Sequence, residues 1–183
     1  MPKNRNTILA LVVGLVLTLS IPALADSSDA GESEKVFIYQ QDLALHLAPN
    51  GYHIGTANSR VDGKAGEARD PHEAWLVTST GKTDKNGFPT VYIESLNRSV
   101  RNFKYLAIAG TVEDGPKDPK VVGHMQISLS DKPFEWYAEK ATSGVTLNVA
   151  NAGGYVLEFR EGICVLGWDN DTPNQLVTIK PVD

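Results

Sequence analysis

The chain has 183 residues, and 22 acidic against 17 basic residues give it a formal net charge of −5. With no basic cluster, this balance argues against nucleic acid and anionic membranes as partners, because both attract cationic surfaces. The single cysteine, Cys164, excludes an internal disulfide, so we expect stability to come from the burial of apolar residues.

The N-terminus has the pattern of a secretory signal peptide. Lys3 and Arg5 precede an apolar run over 8–19, and Ala23-Leu24-Ala25 has the Ala-x-Ala form of a cleavage site. The run is shorter than the roughly 20 residues of a spanning helix, although an uncleaved anchor is the alternative. We expect 1–25 to be removed after Ala25, which leaves a secreted protein of 158 residues; losing two cations changes the formal charge from −5 to −7.

Residues 26–35 are small, polar and acidic, and they predict a disordered arm before the folded domain. From Val36 onward, short runs of alternating apolar residues are separated by Gly, Pro, Asn and Asp, which is typical of strands joined by turns. Four types of run occur in the same order three times. The predicted strands are 36–40, 51–55, 60–62 and 73–77, then 90–94, 104–108, 124–129 and 134–138, then 145–149, 154–159, 163–166 and 175–179.

Twelve strands in three similar units predict an all-β fold, a β-trefoil that occupies 36–183. One unit cannot bury its own apolar face, whereas three units around a pseudo-threefold axis close a barrel and remove exposed sheet edges. Cys164, in an apolar run, is predicted to be a buried structural thiol. Two sets of residues at equivalent places are predicted to pack in the core: Tyr52, Tyr105 and Tyr155, and Trp75, Trp136 and Leu176.

Two segments near the C-terminus carry a resemblance to a known family. The sequence LSDKPFEW at 129–136 and the closing TPNQLVTIKP at 172–181 resemble the last unit of the fungal β-trefoil serine protease inhibitors, the cospin-like group. The resemblance spans 36–182 in strand order and is most specific in the final third. It implies a monomeric, cofactor-free inhibitor, not an enzyme, that inserts a rigid, substrate-like loop into a secreted trypsin- or subtilisin-like protease.

A trypsin-like specificity pocket accepts Arg or Lys, so basic residues on predicted loops are the candidates. The resemblance favours the loop after the second strand, 57–70, with Arg60 ahead of Lys64. Arg98, in the predicted loop 96–104, is a further candidate. Its neighbour Asn97 begins an Asn-x-Ser sequon, and a glycan on Asn97 would shield Arg98 from a protease.

A carbohydrate-binding, lectin-like β-trefoil is the alternative function, with glycans as the partner. Trp168 is followed by Asp169 and Asn170 at a strand end, and an aromatic ring beside polar side chains is suited to contact a sugar. The Gln-x-Trp signature of ricin-type lectins is absent. The predicted equivalents are Glu73-Ala74-Trp75, Phe134-Glu135-Trp136 and Asn174-Gln175-Leu176.

Catalysis and metal binding are not expected. The four histidines are scattered, and neither His-Glu-x-x-His nor Gly-x-Ser-x-Gly occurs. No cluster has the spacing of metal ligands, so no metal is predicted. A catalytic triad whose members meet only in space is the alternative that sequence patterns do not test.

Overall fold

The computed structural model describes residues 31–42, 45–49, 59–100, 102–112, 125–141, 144–160, 162–170 and 172–182. These residues form twelve strands and two short 3₁₀-helices, η1 (Pro71–Glu73) and η2 (Arg98–Val100). The strands are β1 (Ser33–Gln40), β2 (Leu45–Pro49), β3 (Ser59–Ala65), β4 (Trp75–Thr83), β5 (Pro89–Ser95), β6 (Tyr105–Ile108), β7 (Ile127–Ser130), β8 (Trp136–Ala141), β9 (Gly144–Val149), β10 (Tyr155–Arg160), β11 (Ile163–Trp168) and β12 (Leu176–Pro181). No helix in these parts of the chain is long and apolar enough to cross a membrane.

Six of the strands close a barrel. β1, β4, β5, β8, β9 and β12 pair antiparallel in that order, and β12 pairs back onto β1. The other six form three hairpins, β2–β3, β6–β7 and β10–β11. The hairpins meet through three equivalent pairs: Arg60–Ser128, Gln126–Val165 and Ile163–Asp62. This threefold repetition confirms the predicted β-trefoil.

The pairing register gives the equivalent residues of the three units, and it corrects one predicted set. Trp75 lies opposite Val36 and Ser95, and Trp136 lies opposite Val91 and Val149. The third residue placed in this way is Val177, opposite Val145 and Gln40. The prediction of Leu176 is therefore one residue off. Both residues are buried and apolar, so the hydrophobic pattern alone does not separate them.

The predicted equivalence of the three tyrosines is also wrong, although Tyr155 is buried in the core as predicted. Tyr105 lies opposite Glu94, and the positions placed in the same way are His46, opposite Tyr39, and Val156, opposite Asn148. Tyr155 lies one position before Val156 in its hairpin, and its equivalents in the other two hairpins are Leu45 and Lys104. Tyr52 lies outside the described residues. Tyr155 is therefore not part of a threefold core repeat.

The N-terminal boundary of the domain differs from the prediction. β1 begins at Ser33, inside the predicted arm 26–35, because Ser33, Glu34 and Lys35 pair with β4 through their backbones. These polar side chains are mostly exposed, so burial gave no signal for the strand. Residues 1–30 lie outside the described part of the chain, as does the predicted strand 51–55. The strand that pairs with β3 in the first unit is β2, at Leu45–Pro49.

The core is built from equivalent layers. Trp75 and Trp136 are 0% exposed, and their indole N–H groups donate to the carbonyl oxygens of Leu47 (2.9 Å) and Leu106 (2.8 Å). In the third unit the corresponding carbonyl belongs to Leu157, and Val177 has no donor to offer it. The two tryptophans therefore tie barrel strands to hairpins, and the third unit lacks this link.

Cys164 is fully buried, which confirms the predicted structural thiol. The register places it where the other hairpins carry Val61 and Ile127. Burial raises the pKa of the thiol well above its usual value, since the thiolate would lose its hydration.

We expect Cys164 to be unreactive in the folded protein. At pH 8, 5,5′-dithiobis(2-nitrobenzoate) should label no thiol under native conditions and one thiol in urea. Cys164→Val should change the free energy of unfolding by less than about 1.5 kcal/mol, because a residue of similar volume already fills the equivalent position in the first unit. Rapid labelling of the folded chain would contradict the buried placement.

Candidate functional site

Two of the three inhibitory candidates lie on a strand and not on an exposed loop. Arg60 and Lys64 are in β3, opposite Ser128 of β7 and His46 of β2. The Arg60 Nε lies 2.6 Å from Asp62 Oδ1, and Lys64 pairs with the Glu73 carboxylate. A substrate-like loop must be extended and free to enter a protease cleft, and residues fixed in a sheet ladder do not meet that condition.

Arg98 is exposed, but it lies in η2 and not in an extended loop. The neighbouring Asn97 is partly exposed, and its Oδ1 accepts a hydrogen bond of 2.9 Å from the backbone N–H of Ser99. The side chain of the sequon asparagine thus closes its own turn. Glycosylation of Asn97 stays a prediction.

The sugar-contact candidates Trp168, Asp169 and Asn170 lie together at the end of β11. Trp168 is partly exposed, and its ring packs edge-on against Tyr155 with centroids 5.3 Å apart. Gly154 lies against the six-membered ring of Trp168, where a Cβ would stand 3.2 Å from Cζ2. Gly154 also has a φ of +77°, a region that glycine enters without steric cost. The indole is therefore held in one orientation.

The pairing of Trp168 with Tyr155 is specific to the third unit. The equivalent pair in the first unit is Leu45 with Ala65, and in the second unit the positions carry Lys104 and Asp131. Tyr155 is buried in the core, and Trp168 packs against the core while part of its side chain stays exposed. The third hairpin therefore presents an aromatic edge that the other two hairpins lack.

A buried glutamine fixes the backbone of this segment. Gln175 is 0% exposed, and its Nε2 donates to the Trp168 carbonyl (2.8 Å), while its Oε1 accepts from the Asn170 N–H (3.0 Å). A third bond runs from the Asp169 N–H to the Gly154 carbonyl (2.8 Å). The backbone from 168 to 170 is thus held from two sides, as a preorganised binding segment requires.

Gln175 is in turn held by a buried carboxylate. Its Nε2 lies 3.2 Å from Glu158 Oε2, and Glu158 Oε1 accepts from Arg160 Nη2 at 2.6 Å. Glu158 is buried, and these charge-assisted bonds offset the loss of its hydration. The sequence analysis missed both Gln175 and Glu158. The corrected register shows that Gln175 stands two residues before the tryptophan-equivalent Val177, the place of Gln in Gln-x-Trp.

The hairpin between β4 and β5 borders the same surface. The backbone N–H of Lys85 donates to Asn151 Oδ1 (3.0 Å), and Phe88 stacks on Tyr137 with centroids 4.9 Å apart and planes at 10°. Burial raises the pKa of Tyr137 to about 12, and three carboxylates add to the shift: those of Glu139, Asp84 and Asp169. The phenol therefore loses its proton only in strongly alkaline solution.

A surface depression lies beside Pro173, in the segment that leads into β12. Its volume is about 340 Å³, and it is lined by Gln40, Gln41, Asp42 and Pro173. This lining includes no aromatic ring, so it offers no platform for a sugar ring. Within the described ranges, no group of three His, Cys, Asp or Glu residues could hold a metal ion.

Comparisons with known proteins show similarity in structure alone. No family model and no curated protein matches the sequence. The Rhizoctonia solani agglutinin matches with a TM-score of 0.62 and 14% identity, over 86% of this chain and 99% of that one. The Macrolepiota procera ricin B-like lectin, in complex with lactose, matches with a TM-score of 0.55 and 17% identity, over 86% and 100%. A mosquitocidal holotoxin matches with a TM-score of 0.52 and 13% identity, over 83% of this chain and 18% of the holotoxin chain. At these identities the likeness establishes the fold.

The expected function, inhibition of a serine protease, is wrong on these findings, whereas secretion stays a prediction. Two structures that this chain matches over 99–100% of their length are an agglutinin and a lectin, and neither is a protease inhibitor. Arg60 and Lys64 lie in a sheet ladder with carboxylate partners, which removes the favoured reactive loop. The resemblance to the cospin-like group is confirmed for the fold and not for the inhibitor family.

Proposed function

We propose that this protein binds carbohydrate at the end of β11, through Trp168, Asp169 and Asn170. The observation that carries the proposal is the partly exposed Trp168 ring, held by Gly154 and Tyr155 and followed directly by a carboxylate and an amide. A sugar ring has an apolar face of C–H groups that packs on an aromatic ring, while its hydroxyls hydrogen-bond to neighbouring polar groups. The match to two lectins, one holding lactose, supports this function over inhibition.

The rigid backbone supports the proposal energetically. Gln175 and Gly154 fix the segment before any ligand arrives, so binding orders few groups and loses little conformational entropy. We also propose that the protein acts outside the cell, where glycans are exposed, since the sequence pattern over 1–25 predicts secretion.

The proposal is tested by retention of the mature chain on a panel of immobilised glycans, followed by calorimetric titration with the free sugars that retain it. Trp168→Ala should weaken binding by about 10- to 100-fold, which corresponds to about 1.4–2.8 kcal/mol. Phe37→Ala is the matched control, because it removes a partly buried ring on β1 without touching this surface. A chain that no glycan retains, or an unchanged affinity in Trp168→Ala, would overturn the proposal.

A further inference from the structure

The proposed sugar site continues onto the hairpin between β4 and β5. The ammonium of Lys85 lies 3.1 Å from the place where a Cβ on Gly153 would stand, and the next residue, Gly154, lies against the Trp168 ring. Consecutive Cα atoms are about 3.8 Å apart, so the Lys85 Nζ and the Trp168 ring are separated by no more than about 13 Å. An oligosaccharide of two or more rings is long enough to contact both groups at once.

The ammonium of Lys85 is available to a ligand. Lys82 pairs with Glu135, Lys64 with Glu73 and Lys104 with Glu94, while Lys85 pairs with no carboxylate among the described residues. Lys85 is exposed, and its backbone is fixed by Asn151. An exposed ammonium group without a carboxylate partner is suited to donate hydrogen bonds to the oxygen atoms of a sugar.

The hairpin also presents a second aromatic surface. Phe88 is partly exposed and stacks on the buried Tyr137, which supports its ring from behind. The buried Asp84 carboxylate accepts from the Phe88 N–H at 2.9 Å and from the Asn86 N–H at 2.8 Å. The Asp84 N–H donates to the Phe88 carbonyl at 2.8 Å, so that both the backbone and the side chain of Asp84 bond to Phe88 across the turn.

The two surfaces lie near one another in space. The Asp169 N–H donates to the Gly154 carbonyl at 2.8 Å, and the neighbouring Gly153 lies against the Lys85 side chain of the hairpin. The Gly153-Gly154 dipeptide lies between Lys85 and Trp168 and carries no side chain that would separate them. A chain of sugar rings can therefore pass from one surface to the other without an obstruction from this turn.

We propose that the ligand is an oligosaccharide of at least two rings, with one ring on Trp168 and a further ring on the hairpin surface of Lys85 and Phe88. This inference rests on the proposed function, since it extends the same site. Lys85 donates to oxygen atoms of the further ring, and Phe88 packs on its apolar face. The hairpin residues thereby select the length of the ligand, while Trp168 supplies the binding shared by short and long sugars.

The test compares free sugars of increasing length by calorimetric titration of the full mature chain. The probes are N-acetylglucosamine oligomers of one to six rings and a second series that starts with galactose and lactose. In the series that binds, affinity should rise at least 10-fold between one ring and three rings and then level off. Lys85→Ala and Phe88→Leu should each remove most of this rise and leave the affinity for the single ring unchanged. Phe88→Leu keeps an apolar side chain, so that the hairpin stays folded.

Lys132→Ala is the matched control, because Lys132 is an exposed lysine in a turn of the second unit and should not affect the rise. Equal affinities for one ring and three rings would overturn the inference, as would a rise that persists in both hairpin variants. In either case a loss of binding in Trp168→Ala would leave the proposed function intact. If the wild-type chain binds no sugar of either series and is retained by no immobilised glycan, both proposals fail together.

Discussion

Replacing Trp136 with alanine is expected to lower the free energy of unfolding by about 3–5 kcal/mol, the cost typical of removing a large aromatic side chain from a core. Trp136 is 0% exposed, and its indole N–H donates to the Leu106 carbonyl at 2.8 Å. The alanine leaves a cavity between barrel and hairpin and a buried carbonyl without its donor. Because the free energy of unfolding of a small domain is only about 5–15 kcal/mol, this single substitution removes a large part of the protein's stability.

The pseudo-symmetry supplies the controls for this measurement. Trp75→Ala should cost a similar amount, because Trp75 makes the same bond to Leu47 in the first unit. Val177→Ala, at the equivalent place in the third unit, should cost only about 1.5–2.5 kcal/mol. Trp136→Phe keeps most of the ring volume and should cost about 1–3 kcal/mol, largely through the lost hydrogen bond. Urea denaturation followed by far-UV circular dichroism measures all four, and a Val177 variant as damaging as the tryptophan variants would contradict the assigned equivalence.

The fold was predictable from the sequence because it is repeated. Period-two alternation and turn residues recur three times, and each copy supports the assignment of the others. The errors arose where the pattern is locally ambiguous. Leu176 and Val177 are both apolar and both buried, so a shift of one residue left the hydrophobic pattern intact. Ser33 joins β1 through backbone pairing and a hydroxyl contact with Thr78, and neither leaves a hydrophobic pattern in the sequence.

The candidate site was predictable only in part, for a physical reason. Trp168, Asp169 and Asn170 are adjacent in the chain, so their grouping is visible in the sequence. Lys85 and Asn151 are 66 residues apart and meet only because the hairpin between β4 and β5 folds over the turn before β10. Glu158 and Gln175 come together because β10 and the residues before β12 are neighbours in the trefoil. Contacts of this kind follow from the closed barrel and not from any local motif.

The second large effect is expected at Gly167, whose missing side chain makes room for the buried polar network. A Cβ on Gly167 would overlap Glu158 Oε2 and would lie 3.1 Å from Gln175 Nε2. Glu158 cannot move aside cheaply, because its carboxylate is buried and bonded to both Arg160 and Gln175. Gly167→Ala therefore separates a buried charge from its partners, which should lower the free energy of unfolding by about 2–4 kcal/mol.

Gly167→Ala also connects stability to binding, since Gln175 holds the backbone of Trp168 and Asn170. The sugar affinity of the molecules that stay folded should also fall, because the displaced Gln175 no longer holds the backbone of the binding segment. Gly144→Ala is the matched control, because its new Cβ would stand 3.4 Å from Leu176 Cβ, which is an ordinary contact. The free energy of unfolding should therefore change by less than about 1 kcal/mol, and sugar affinity should not change. If Gly167→Ala were as stable as Gly144→Ala, the carboxylate would have to be free to move. The network could then not be what orients the tryptophan.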